Sequence, residues 1–349
     1  MGYLFNTAFG RGLVGELKAI VHRPYLVVTM EDIWPKFADE FDDALAGPHF
    51  VKTLEIDALE RIVDELPSCE SVIGLGGGQA LDVAKYVAWR RRVPLFQVPT
   101  SMSVNAAFGH RAAVRVDGVV RYLTWAIPEC VYVDYDVIQA APELLNRSGV
   151  GDIFCYHAAH WDWRMARDRG RTEAKWPYDQ RLVDEAAAVL DTVMASLDDI
   201  HAVNDQGVRT LMEALRWGGG AFGNAGWNPR HIEGSEHAYF YALEYLTRKP
   251  YIHGQPVLLG LLFMTVLQQN EPDKMRKAIE RVGVPCLPQD MGDDWSVALD
   301  AMRLVPEVAR KAGLWYTVAL DRPITEDFLQ QTREWLEAPS GAEAPRLTT

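Results

Sequence analysis

Short aliphatic and β-branched runs alternate with helix-period patterns through the first half of the chain. Tyr25-Leu26-Val27-Val28-Thr29-Met30 is a continuous apolar run of strand length, and Glu55 to Leu66 carries helical spacing. Ser71 to Leu75 predicts a second strand, Ala80 to Arg91 a second helix, and Pro94 to Val98 a third strand that stops at Pro99. Ala112 to Leu123 has the form of a hairpin with Asp117-Gly118 at its turn, and Cys130 to Asp134 closes this half as a further strand. Strands and helices in that rhythm predict parallel βαβ units.

The second half changes period. Asp179 to Ile200 reads as one long helix whose apolar stripe runs through Leu182, Val183, Ala186, Leu190, Val193 and Leu197. Helical spacing returns over Val208 to Trp217, His237 to Leu246, Gln255 to Gln268 and Asp273 to Val282, with almost no strand signal. The pattern predicts an α/β domain over 1–147 and an all-α domain over 148–336, with the change falling between Pro142 and Gly151. Residues 337–349, ending APSGAEAPRLTT, are small and polar and predict a flexible, frayed tail.

Composition narrows the function classes. The 349 residues are 48% hydrophobic, enough for two cores, and the net charge of −13 leaves no broad basic field for nucleic acid or an anionic membrane. The run Arg90-Arg91-Arg92 reads as a solvated helix end. No apolar stretch reaches the roughly 18 residues of a membrane span, and the N-terminus lacks the basic start and apolar core of a signal peptide. Cys69, Cys130, Cys155 and Cys286 lie far apart with no CxxC pair, as expected of reduced thiols in a cytoplasmic protein.

Two groups of residues carry candidate chemistry. Gly76-Gly77-Gly78 sits between a predicted strand and a predicted helix, with Asp82 four residues on. Such a turn lets backbone amides approach a pyrophosphate at a helix N-terminus, or is simply a tight strand-to-helix turn. Gly218-Gly219-Gly220 follows a predicted helix instead, so a helix stop or close packing is the better reading there. The segment VPTSMSVNAAFGH leaves a strand at the carboxyl edge of the predicted sheet, where α/β ligands bind, and gathers Thr100, Ser101, Ser103 and Asn105. The second group is Asp152, His237 and His253. One carboxylate and two imidazoles suit Zn or Fe(II) with open positions for substrate, if the fold gathers them. A cation so held lowers the pKa of a bound hydroxyl. His157 and His160, at i, i+3 on an apolar aromatic helix, read as satisfied core histidines or pocket lining, and His110 and His231 stay unassigned.

Taken in order, GLGGGQALDVAK, QVPTSMS, DYDVIQAAPE, SGVGDIFCYHAAHWDWRMA, EGSEH and HGQPVLLG resemble the glycerol dehydrogenase and sn-glycerol-1-phosphate dehydrogenase branch of the iron-containing alcohol dehydrogenase superfamily, with dehydroquinate synthase more distant. The resemblance runs from about Tyr25 to Gly260. It implies a Rossmann-like N-terminal domain and an all-helical C-terminal domain. It also implies that Gly76, Gly77, Gly78, Asp82, Thr100 and Ser103 hold NAD or NADP. Asp152, His237 and His253 become the catalytic metal ligands, for one Zn or Fe(II). In the four-ligand group a His stands four residues after the Asp; Tyr156 occupies that place here and points to three ligands. Three departures touch the expected substrate site. Gln255 replaces the Glu of a usual HGE, Phe240-Tyr241 replace a Ser-His pair, and Asn105 replaces an Asp. The implied activity is hydride transfer between NAD(P) and a small polyol or polyol phosphate. The alternatives are a sugar-phosphate cyclase that uses NAD transiently and a non-catalytic homologue. Members of that superfamily often assemble into dimers or larger rings, which leaves room for a homo-oligomer; the acidic charge argues against nucleic acid or membrane as partner, and the cysteines point to the cytoplasm.

Overall fold

The computed structural model of the chain describes residues 4–116 and 119–347. They divide into two compact units. The first takes residues up to Asn146 together with Val203–Gly223, and the second takes Arg147–Ala202 and everything from Asn224 on.

The first unit is a six-stranded parallel sheet with helices. Its elements are β1 (Thr7–Gly10), α1 (Leu13–Ile20), β2 (Tyr25–Thr29), β3 (Leu45–Phe50), α2 (Ile56–Glu65), β4 (Ser71–Gly76), α3 (Gly78–Arg91) and β5 (Leu95–Pro99). A β6–β7 hairpin (Ala112–Val116, Val119–Leu123) and β8 (Cys130–Asp134) complete the strands, and α4 (Tyr135–Gln139) follows. The strand order is β1-β8-β5-β4-β2-β3. β2, β4 and β5 are buried at every position because both faces of a parallel sheet are covered, so their sequences read as unbroken apolar runs. Leu26, Val28 and Val72 pack towards α2 and α3, while Val27, Ile73 and Leu75 pack on the other side with α1.

Two strands carry no clear signal in the sequence. β1 is four residues long, and β3 contains Gly47-Pro48, which its place at the sheet edge tolerates. The hairpin forms as expected, with Asp117-Gly118 outside the described residues. Arg91 is not a solvated end. Its Nη2 donates to the carbonyls of Val63 and Leu66, both at 2.6 Å, and so closes the end of α2.

The remaining helices are α5 (Glu143–Ser148), α6 (Gly151–Asp168), α7 (Gln180–Met194), α8 (Leu197–His201), α9 (Asp205–Asn224), α10 (Ser235–Thr247), α11 (Gly254–Gln268), α12 (Pro272–Val282), α13 (Trp295–Ala312), α14 (Val318–Asp321) and α15 (Glu326–Glu337). No strand follows β8 among the described residues. Most of α9 clusters with the first unit, where Arg216 Nε donates to the Phe5 carbonyl at 2.7 Å. It runs straight through Gly218-Gly219-Gly220 rather than ending at Trp217, because those glycines are a contact point. A Cβ on Gly219 would lie 2.3 Å from the Phe108 carbonyl oxygen. The long helix expected over Asp179–Ile200 is two helices, broken at Ala195-Ser196. There Thr192 and Ser196 hydroxyls bond back to the carbonyls four residues earlier.

In the second unit α11 is buried along its whole length, which is why its sequence is apolar all round. α6 and α10 pack on it, and α13 packs on α10. The described part of the tail, as far as Leu347, is tied down by hydrogen bonds instead of frayed. Trp335 Nε1 donates to the Ala342 carbonyl at 3.1 Å, and the Ala344 amide to Asp273 at 2.9 Å. The four cysteines are free, and no helix among the described residues is long and apolar enough to cross a membrane.

Candidate active site

The second unit gathers a carboxylate and two imidazoles from three separate segments. Asp152 is the second residue of α6, His237 the third of α10, and His253 immediately precedes α11. One ligand atom from each lies within 4.8 Å of the others, and Asp152 Oδ1 is 3.1 Å from His253 Nε2. The local sequences explain the convergence. Gly151 and Gly254 let the starts of α6 and α11 touch: a Cβ on Gly151 would meet Gly254 Cα at 2.8 Å, and one on Gly254 would meet the Ser148 carbonyl oxygen at 1.8 Å. No side chain fits there, so the Gly-Asp and His-Gly pairs bring Asp152 and His253 together as a unit.

α10 is anchored by two buried carboxylates. Glu236 Oε1 accepts from the Gly234 amide at 2.7 Å, and Asp162 Oδ2 accepts from the Ser235 amide at 2.8 Å. These bonds satisfy backbone donors that a helix start leaves open. Asp162 also accepts from the Val318 amide at 2.7 Å through its other oxygen, and burial pushes its carboxyl up to about 6. Glu236 Oε1 lies 2.9 Å from His237 Nδ1, and Tyr241 donates to Glu233 at 2.8 Å. Phe240 stands edge-on to His253, with ring centroids 4.6 Å apart.

The donor set fits a divalent cation. Burial alone would lower the His237 pKa, yet Glu233, Glu236 and Asp152 together outweigh it and raise the imidazole to about 9. A corner that holds a proton so firmly is electronegative, and a cation in the proton's place would balance the same carboxylates. A second set, Cys155, Glu236 and His237, also comes within 4.8 Å. It is the poorer site. Burial and then the charges of Glu236, Asp152 and Glu233 push the Cys155 thiol well up, and its Sγ is already bonded to the Ile232 carbonyl at 3.1 Å.

Gln255 explains its own departure. Its Nε2 donates to the Pro285 carbonyl at 2.7 Å, a bond an ionised glutamate cannot make. On α6, the half-buried His157 and the buried His160 hydrogen-bond the carbonyls of Asn270 and His231 at 3.0 and 3.1 Å. Burial drives His160 down to about 3 and His231 down to about 4, so both are neutral.

The first unit brings the glycine turn against the loop that follows β5. Gly76 ends β4 at φ +155°, a conformation L side chains rarely adopt. The Thr100 amide donates to the Gly76 carbonyl at 3.0 Å, and a Cβ on Gly78 would meet Val104 at 3.0 Å. Ser103 bonds Ser101 at 3.3 Å, and the fully buried Asn146 braces the loop by accepting from the Met102 amide at 3.1 Å. Asp82 lies one turn into α3 with its carboxylate 2.8 Å from the buried Lys85 ammonium, which also donates to the Arg111 carbonyl at 2.9 Å. Asp82 therefore fastens the loop's far end to α3. The sequence reading gave no role to Asn146, Lys85, Asp162 or Glu236, although Lys85 stands in GLGGGQALDVAK and Glu236 in EGSEH. Their contacts are to backbone amides, a carbonyl and neighbouring side chains, which no spacing in the sequence marks.

Residues 16–142 match the family profile described as iron-containing alcohol dehydrogenase. The chain is similar to the glycerol-1-phosphate dehydrogenase (NAD(P)+) of Sulfurisphaera tokodaii, 29% identical over 309 residues covering 86% of each protein. It is also similar to that of Methanosphaera stadtmanae, 26% identical over 280 residues, 78% of this chain and 76% of that one. Among solved structures, a probable glycerol dehydrogenase from Sinorhizobium meliloti 1021 aligns with a TM-score of 0.74 at 21% identity, over 95% of this chain and 96% of that one. Sulfoacetaldehyde reductase from Bifidobacterium kashiwanohense, solved in complex with NAD+, aligns at 0.69 and 16% identity, over 96% and 98%. These structural likenesses establish the fold.

Proposed function

We propose that this chain, a member of the iron-containing alcohol dehydrogenase superfamily, is a metal-dependent NAD(P)-linked dehydrogenase acting on a small polyol phosphate of the sn-glycerol-1-phosphate kind. The observation that carries the reading is the meeting of Asp152, His237 and His253 at one corner, in a chain whose relatives are glycerol-1-phosphate dehydrogenases. Asp152, His237 and His253 would hold one Zn or Fe(II), whose chemistry is to polarise the substrate oxygen and favour loss of its proton.

The protein's own groups supply the rest. Gly76, Gly77 and Gly78 present backbone amides at the start of α3, where a pyrophosphate is welcome. Thr100 and Ser103 line the neighbouring loop, and Asp82, through Lys85, keeps that loop fastened to the same helix. Held there, NAD(P) would supply the hydride acceptor of the oxidative direction, in which a polyol phosphate and the oxidised cofactor would give a ketone or aldehyde, NAD(P)H and a proton. Phe240 stands edge-on against the His253 ring and gives that side of the corner an apolar wall.

The test is a screen of glycerol, its phosphates and dihydroxyacetone phosphate with NAD(P)(H), at added Zn or Fe(II). Net, stoichiometric change in reduced nicotinamide is the expected result, abolished in Asp152→Ala and His253→Ala. Turnover without net cofactor change, or either variant at near-normal rate, contradicts the reading.

A further inference from the structure

We propose that Glu236 is a positioning residue for the metal centre: it fixes the His237 ring with Nδ1 protonated and so commits Nε2 to the cation. The inference rests on the metal reading above and adds a residue to it.

The chemistry of the pair decides the tautomer. Glu236 Oε1 already accepts from the Gly234 amide, so at 2.9 Å from that acceptor oxygen the His237 Nδ1 is the donor. A neutral imidazole with Nδ1 protonated keeps its lone pair on Nε2, the nitrogen then left for the corner shared with Asp152 and His253. The same Oε1 accepts from the Gly234 amide at 2.7 Å, which pins the carboxylate to the backbone two residues back and leaves it no freedom to swing away.

A plain helix-start role does not account for this side chain. Acidic residues in a first turn act through the helix dipole and work well in solvent, whereas Glu236 is 0% exposed. Its second oxygen, Oε2, is buried without a hydrogen-bond partner. A buried carboxylate with an unsatisfied oxygen is costly unless positive charge stands nearby, and a cation one imidazole away supplies it. The Cys155, Glu236 and His237 set offers a rival account, in which Glu236 is itself a ligand.

Glu236→Gln and Glu236→Leu separate these possibilities. Gln keeps an oxygen that can accept from both Gly234 and Nδ1 but loses the charge; Leu loses both. Zinc affinity is measured by chelator competition on the full chain. In the zinc-loaded protein, the His237 Nδ1 proton is followed by nitrogen-15 NMR. The expected result is an affinity loss of about 10–100-fold for Leu and a smaller one for Gln. A hydrogen-bonded, slowly exchanging Nδ1 proton should be present in wild type and Gln and absent in Leu. Wild-type affinity in both variants overturns the proposal, as does a wild-type His237 with zinc on Nδ1. A Cys155→Ser loss equal to that of Glu236→Leu overturns it in favour of the rival site. A wild type that takes up no zinc or Fe(II) overturns the underlying metal reading itself.

Discussion

Gly254→Ala is the sharpest probe of how the fold makes the site. The added Cβ would stand 1.8 Å from the Ser148 carbonyl oxygen, where ordinary contact begins at 3.4 Å. The backbone must therefore open by about 1.6 Å, and the atom in the way is main chain, which cannot rotate aside. Overpacking of this kind typically destabilises by about 1–3 kcal/mol. The larger effect is on geometry, because Asp152 and His253, now 3.1 Å apart, ride on the two helix starts being separated. A misplacement of roughly 1 Å in a reacting constellation costs on the order of 100-fold. Gly254→Ala should accordingly fold, melt several degrees lower, bind zinc weakly in chelator competition and turn over at least about 100-fold more slowly. Gly151→Ala, whose Cβ would meet Gly254 Cα at 2.8 Å, needs a smaller shift and should lose less on every readout. Wild-type zinc affinity and turnover in Gly254→Ala would refute the claim that glycine contact assembles the ligand pair.

Other expectations follow from buried charges. Lys85→Met strands the Asp82 carboxylate in the first unit and should lower unfolding free energy by about 3–5 kcal/mol, read by urea titration, with Asp82→Asn partly restoring it. Asp162 has a folded pKa of about 6, above its unfolded value. Its contribution to stability is therefore fully present below about pH 4 and lost as pH rises through 6, by at most about 3 kcal/mol. Asp162→Asn removes this titration and leaves one of two backbone amides, Ser235 or Val318, without its acceptor, a cost of about 1–3 kcal/mol. Thermal melts of wild type and Asp162→Asn from pH 4 to 7 should show the wild-type advantage shrinking as pH rises; a growing advantage would contradict the assigned pKa.

The parallel sheet was readable because burial on both faces writes strands such as YLVVT as unbroken apolar runs. β1 and β3 were not, since edge strands depend on a neighbour rather than on their own pattern. Chain order hid the membership of α9, because Val203–Gly223 folds with residues far earlier in sequence. At the candidate site, the three side chains that meet were legible as short motifs, whereas the residues that hold them were not. Glu236 and Asp162 work through backbone amides and one ring nitrogen, contacts that leave no period or spacing in a sequence.

The account stands on Asp152, His237 and His253 sharing one ion. Crystals of the protein grown with zinc or Fe(II), with anomalous data collected at the metal edge, test it directly. The prediction is a single peak per chain, within bonding distance of Asp152, His237 Nε2 and His253, and absent in Asp152→Ala. No peak at that corner, or a peak bound by Cys155 and Glu236 instead, would contradict it.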